Sequence, residues 1–302
     1  MQSKYLMSGG TLFTSLSAVV ICTTFASALQ PGSFVQPIHR VAHEEQVAGS
    51  EQVASRIAPQ ATTSPINLDL QPGEHPLMPA MRFAQDGLAR VDTTIADYSA
   101  MLIKEERIDG ELHEKEVAFI KVRHNPFAVY MYFLKPNKGR ECLYNAGPNG
   151  TTGLLIARDS GFRKRLGRFE LDPNGRIAMS GQKYPITKLG VRNLVTELIT
   201  VATNDTQFGE CDVQTKQSVI NGRPTTLVEV VHPTPRQNFR FHKAEIFIDN
   251  EFKLPVRYAS YMWPQQPGGA PPLEEAYTYL NLKVNNGYTD ADFDKENTEY
   301  FQ

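Results

Sequence analysis

Two dipeptides, Asp109-Gly110 and Asn221-Gly222, each stand between strand-length segments rich in β-branched and aromatic residues. Asn, Asp and Gly accept the positive φ of a tight hairpin turn, so the segments flanking such a pair must run antiparallel. Asn149-Gly150, Asn174-Gly175 and Asp249-Asn250 punctuate the chain in the same way. This spacing predicts strands over 96–109, 111–124, 127–135, 140–146, 153–159, 163–171 and 175–180. A second group follows over 211–220, 223–232, 242–249, 254–263 and 274–285. No repeat of 20–50 residues runs through the series, which argues against a propeller or solenoid.

Two segments carry a different period. Leu77, Met81, Phe83, Ala84, Leu88 and Val91 recur near helical spacing, with Pro79 where a first turn tolerates its missing N–H. Ile186, Leu189, Leu194, Leu198, Ile199 and Val201 make a second one-sided stripe within 184–205, with Thr187 as the expected N-cap. The order is helix, strands, helix, strands. It predicts an α+β fold: a curved antiparallel β-sheet, a half-barrel of about 11–12 strands, with two main helices covering its concave face.

The most apolar of these strands spans 127–134. Alternation sends Phe127, Val129, Met131 and Phe133 to one face and Ala128, Tyr130, Tyr132 and Leu134 to the other. Tyrosine hydroxyls need partners when buried, so the Phe/Met set is expected to face the more apolar space. Burying eight such side chains contributes on the order of 10–20 kcal/mol before chain entropy is set against it. A packed core and the wall of a cavity satisfy this pattern equally.

At the N-terminus, Lys4 is the only charge in the first 28 residues. It precedes an apolar stretch over 12–25, and Ala26-Ser27-Ala28 follows with small residues where signal cleavage needs them. The apolar stretch is shorter than the roughly 20 residues of a membrane span. We read 1–28 as a signal peptide and the protein as periplasmic or otherwise exported. Residues 29–76, rich in Pro, Gln, Ala, Ser and Thr, bury too little apolar surface to offset their ordering entropy and read as a disordered linker. The folded domain is expected over 77–302.

No catalytic constellation stands out. Glu141 and Cys142 are neighbours on a strand and point to opposite faces, so they cannot pair directly. His113, His124, His232 and His242 sit in no recognisable signature. Cys142 and Cys211 remain after signal removal, and an exported compartment allows either a disulfide or two packed thiols. "AHEEQV" lacks the second histidine of a zinc helix, because Val47 stands four residues after His43. Asp290, Asp292 and Asp294 begin like a calcium loop, but Lys295 occupies the glycine position and Phe301 the glutamate position, so a turn followed by a terminal strand is expected instead. No metal and no cofactor is expected. The net charge of −2 offers no basic surplus for nucleic acid. One basic cluster, Arg163-Lys164-Arg165 with Arg168, suits either a charged edge strand or transient contact with anionic membrane headgroups.

Lys121-Val122-Arg123 precedes Pro126-Phe127, Pro136 ends the aromatic strand, and Gly147 and Asn149-Gly150 follow. In this order the stretch "GELHEKEVAFIKVRHNPFAVYMYFLKPNKGRECLYNAG" resembles the half-barrel of the bacterial LolA/LolB lipoprotein-carrier superfamily. More specifically, "NPFAVYMYFLKPNKGRECLY" and the tail "GYTDADFDKENTEYF" resemble a bacterial family of exported proteins catalogued as a domain of unknown function. The resemblance spans about 77–302. It implies a curved sheet with a greasy concave face under helical lids, and an arginine latch on the lid that falls on Arg123. Here His124 and Asn125 separate Arg123 from Pro126, a departure from the family pattern.

The expected function is that of a non-enzymatic extracytoplasmic binding protein. It would hold a lipid or an acylated lipoprotein ligand in an apolar cavity between sheet and helices. Phe127, Val129, Met131, Phe133, Leu194 and Leu198 are the candidate ligand-binding residues, and Arg123 the candidate lid contact. The alternative is a cell-envelope sensor or scaffold that binds a protein partner.

Overall fold

The computed structural model describes residues 66–302. The segment read as a signal peptide and most of the segment read as linker lie outside the described residues. Ile66 and Leu68, at the end of that linker stretch, pack against the core cluster that contains Leu77.

The chain enters through α1 (Met78–Thr94) and continues into β1 (Asp97–Ile108), the short β2 (Glu111–Leu112), β3 (Glu116–Arg123), β4 (Ala128–Lys135), β5 (Glu141–Asn145), β6 (Leu155–Arg158) and β7 (Phe169–Leu171). Then come α2 (Val191–Asp205), β8 (Asp212–Ile220), β9 (Arg223–Val231), β10 (Lys243–Asp249), β11 (Pro255–Tyr261) and β12 (Leu273–Val284). One antiparallel sheet of 12 strands results, in the order β7-β6-β5-β4-β3-β1-β12-β11-β10-β9-β8, with β2 paired to β1. Two meanders, β1 out to β7 and β8 back to β12, meet where β1 pairs with β12. The hairpin turns form as their residues require: Asp109 and Gly110 take φ of 52° and 84°, Asn221 and Gly222 of 49° and 76°.

The sheet is curled. Strands spaced ~4.8 Å apart in a flat sheet would hold β7 and β9 about 43 Å apart. Yet a single cavity touches Leu171 on β7 and also Val228 and Val230 on β9. The strands therefore bend around that space as a half-barrel, and α1 and α2 lie across its concave side, both contributing to the cavity lining.

Several local expectations are corrected. The segment 111–124 breaks at His113–Lys115 into β2 and β3. Residues 175–180 form turns, not a strand. Arg163, Lys164 and Arg165 sit in a 3-10 turn, Gly161–Leu166, and the strand begins only at Phe169. Three consecutive cations followed by Gly167 at φ 81° do not continue a ladder. Thr187 lies in a separate 3-10 turn, Ile186–Lys188, and α2 starts after Gly190. A tertiary contact supplies the cap instead: the Tyr98 hydroxyl accepts the Val191 N–H at 3.0 Å. Gly190 is required there, since its φ is 112° and a Cβ would stand 2.9 Å from that hydroxyl. The other end of α2 is held by a buried contact, Asp205 Oδ2 to His232 Nε2 at 3.1 Å.

Strand alternation on β4 divides two cores. Val129, Met131 and Phe133 join the concave cluster with Leu102, Ile120 and Val122. Ala128 and Tyr130 face the convex side, where Phe293, Tyr300 and Phe301 cover them. The C-terminal segment, read as a turn followed by a strand, instead forms a 3-10 turn (Asp290–Phe293) and then irregular chain. Tyr300 stacks on Tyr130 with ring centroids 3.8 Å apart. Glu141 Oε2 accepts both the Tyr130 hydroxyl at 2.9 Å and the Phe301 N–H at 2.7 Å.

Asp97, at the start of β1, fixes the exit of β12. Its carboxylate accepts the N–H groups of Asn286, Gly287 and Tyr288 at 2.6, 3.1 and 3.1 Å. The side chain is buried, so losing it would leave three donors without a partner. Asp97→Ala is expected to cost about 2–4 kcal/mol, read as a lowered midpoint in urea unfolding.

Candidate functional site

The concave face is not filled by side chains. Between it and the two helices lies a cavity of about 1130 Å³, lined by residues of both helices and of strands from β7 to β9 along the sheet. Ala80, Phe83 and Ala84 reach it from α1, and Leu194, Leu198 and Val201 from α2. Met131, Phe133 and Cys142 line it from β4 and β5.

Of the candidate ligand-binding residues, Met131, Phe133, Leu194 and Leu198 meet at this cavity. Val129 lies on the same face but is fully buried among its neighbours. Phe127 precedes β4 and packs partly buried at the cluster edge, 6.0 Å from the Tyr144 ring. Arg123 is on the opposite face. It donates to Asp290 Oδ1 at 2.7 Å and to the Pro126 carbonyl at 3.1 Å, and its guanidinium lies 5.1 Å over the Phe293 ring. It latches the C-terminal segment, because one step of alternation from Val122 turns it away from the helices.

One end of the cavity is charged. Along β1 the inward positions change from Leu102 to Lys104 and Glu106, and along β12 they run Glu275, Tyr277, Tyr279. Glu106 and Glu275 are direct cross-strand partners, a like-charge pairing that needs compensation. Lys183 supplies it, with its ammonium 2.6 Å from Glu274 and 3.2 Å from Glu275, while its backbone N–H donates to Glu106 at 3.1 Å. Lys104 meets Glu116 at 2.7 Å and Glu106 at 3.4 Å, and the Tyr277 hydroxyl donates to Glu106 at 2.5 Å. Burial pushes the Glu275 carboxyl above its ordinary range; Lys183 and Tyr184 oppose this and Glu106 adds to it. Sequence reasoning missed this cluster. The available signal was charge appearing mid-strand at positions of the same parity as the core.

The two cysteines among the described residues are free thiols, Cys142 on β5 and Cys211 before β8. Burial pushes each thiol up to about 12. The three aspartates of the tail are engaged locally: Asp292 caps the turn at Thr289, Asp294 accepts the Glu296 N–H, and Asp290 pairs with Arg123. No group of three or more His, Cys, Asp or Glu suited to a metal occurs among the described residues. No helix there is long and apolar enough to cross a membrane.

A family model described as a protein of unknown function (DUF1571) matches residues 95–301. The chain belongs to this family. No curated protein matches it. Among solved structures it is similar to a putative outer membrane lipoprotein-sorting protein domain from Vibrio parahaemolyticus, at 13% identity over 71% of this chain and 96% of that one, TM-score 0.35. It is similar to the Mycobacterium tuberculosis lipoprotein LppX, at 15% identity over 69% and 98%, TM-score 0.37. It is also similar to a LolA superfamily protein from Nitrosomonas europaea, at 12% identity over 70% and 97%, TM-score 0.19. Scores of this size assign no function to the DUF1571 chain.

Two outcomes follow from the site. With thiols near 12, about a thousandfold fewer thiolates exist at neutral pH than for an ordinary cysteine near 9. Cys142 and Cys211 should therefore label slowly with a thiol reagent in the native protein and fully after unfolding. A disulfide would prevent labelling in both. Separately, a carboxyl whose folded pKa is raised contributes stability that is complete below its unfolded value near 4.5 and is lost as pH rises through the folded value. Glu275→Gln should thus raise the melting temperature at neutral pH, and the gain should vanish below about pH 4.5.

Proposed function

We propose that this DUF1571 protein is a non-enzymatic, exported binding protein that holds a lipid or an acylated ligand in the cavity between sheet and helices. The supporting observation is the cavity itself. At about 1130 Å³ it matches or exceeds the usual ~300–1,000 Å³ of small-molecule sites. Protein interiors are close-packed, and a space of this size walled largely by apolar side chains forgoes packing contacts that a bound ligand would restore. Water finds few partners along walls such as Phe83, Met131, Phe133, Leu194 and Leu198, whereas an acyl chain fits them.

The charged end formed by Lys104, Glu106, Lys183 and Glu275 gives the ligand a polar terminus to meet. An amphiphile with chain and headgroup suits such a site better than a purely apolar molecule. The N-terminal pattern of Lys4, apolar stretch and Ala26-Ser27-Ala28 supports the export part of this reading.

Organic-solvent extraction of the purified protein, followed by mass spectrometry, tests the reading. A stoichiometric lipid is expected. Ala157, which lines the cavity from β6, offers a block: Ala157→Trp should weaken lipid affinity by about tenfold or more, about 1.4 kcal/mol. Its melting temperature should stay close to that of the delipidated parent. Extracts free of lipid, with recovery of a single envelope protein in a pull-down, would favour the sensor instead.

A further inference from the structure

We infer that the 3-10 turn Gly161–Leu166 and the strand that follows it form a docking surface for an anionic lipid bilayer, placed at the mouth of the cavity. The inference rests on the lipid-binding reading and adds where the ligand would enter and leave.

Three observations carry it. First, the turn exposes bulky apolar side chains that have no structural use there. Phe162 is 80% exposed and Leu166 67% exposed, and Phe169 on β7 is also exposed. A charged turn that merely protects a sheet edge needs none of them. Apolar side chains interleaved with cations are what a membrane interface takes up, the rings and aliphatics entering among the acyl chains and the cations meeting headgroups.

Second, charge is concentrated at this place. Residues 158–170 hold five cations against two carboxylates in a chain whose net charge is −2. Exposed Arg163 meets the half-buried Asp159, which Arg140 also holds, at 3.6 Å, and Arg168 meets exposed Glu296 at 3.4 Å; a bilayer could replace both contacts. Lys164 and Arg165 have no ion-pair partner among the described residues, and Arg165 rests 5.2 Å over the Phe162 ring. Beside the turn, Arg158, Lys164, Arg165, Arg168 and Lys295 border a second pocket of about 420 Å³ whose lining includes a single carboxylate side chain, Glu296. Arg158 is buried there; it meets Glu141 at 3.9 Å and donates to the Gln302 carbonyl, while its Nε has no hydrogen-bond partner. Such a pocket suits a phosphate-bearing headgroup.

Third, the surface is continuous with the cavity. Arg163 and Phe169 also line the cavity, as does Ile177, which is 73% exposed. A lipid chain leaving the cavity past these residues would emerge where the basic, apolar turn meets the bilayer.

Vesicle co-sedimentation of the full-length protein is the test, with phosphatidylglycerol-containing vesicles compared with pure phosphatidylcholine vesicles. Two variants alter only exposed positions: Phe162→Ser with Leu166→Ser, and Arg163→Glu with Lys164→Glu and Arg165→Glu. All forms share the same N-terminal segment, so differences between them report on the turn. Binding should favour the anionic vesicles and fall with added salt. At about fivefold per headgroup-facing charge, the charge-reversed variant should bind at least tenfold more weakly. The apolar variant should bind more weakly at every salt concentration while keeping the salt dependence. Unchanged binding of both variants overturns the docking surface, as does equal binding to the two vesicle types. Lipid content measured on the same variants separates the two ideas. Normal lipid content with unchanged vesicle binding overturns the surface alone. No lipid in any form, with vesicle binding still sensitive to both variants, overturns the cavity reading and supports the surface.

Discussion

The pairing of β1 with β12 is the constraint on which the rest of the molecule depends. Each meander could close its own hairpins locally, but neither alone encloses anything. Register from Tyr98↔Val284 to Glu106↔Glu275 joins them into one sheet wide enough to curl. The same pairing places Leu102 and Tyr279 on a common face at the apolar part of the cavity, and Glu106 and Glu275 at its charged end. Asp97 locks the junction at one end by holding three backbone donors beyond β12. Tyr98, the next residue, caps α2. Sheet closure and helix placement are therefore coupled through two consecutive residues.

The two faces of the sheet are stabilised differently. The convex side of β4 and β5 is sealed by the C-terminal segment, with ring stacking and a shared carboxylate. The concave side leaves space between sheet and helices, which forgoes the packing enthalpy a solid core would supply. The helix layer is held by apolar side chains buried against the sheet, Val91 and Val191 among them, and by specific contacts: the Tyr98 cap, the His232–Asp205 pair, and an exposed Arg192–Asp92 bridge worth at most about 1 kcal/mol. An interior occupied by a ligand would add to these contacts by mass action, as any molecule bound only by the folded state does.

Much of this was legible beforehand, for local reasons. Positive-φ pairs at Asp109-Gly110 and Asn221-Gly222 marked hairpins because few other residues adopt that geometry. Helical periodicity located α1 and α2, and alternation assigned Met131 and Phe133 to the apolar face. The failures were equally physical. Thr187 looked like a cap because capping is usually local, yet Tyr98, distant in sequence, supplied it. Residues 163–165 and 175–180 looked like strands because their flanking turns were genuine, but β7 had only three residues with which to pair. The tail was misread as a strand because its side chains, not its backbone, do the packing.

Sequence by itself determined the antiparallel connectivity, the two amphipathic helices and the two-sided nature of β4, since each follows from chemistry within a few residues. Tertiary structure alone decided which face was concave, that Arg123 holds the C-terminal segment, and that Lys104, Glu106, Lys183 and Glu275 form one charged end. It also placed the basic turn at the mouth of the cavity. Those outcomes depend on strand order and curvature, and both are set by pairing between segments nearly two hundred residues apart. Local preferences, with their range of a few residues, cannot encode that pairing.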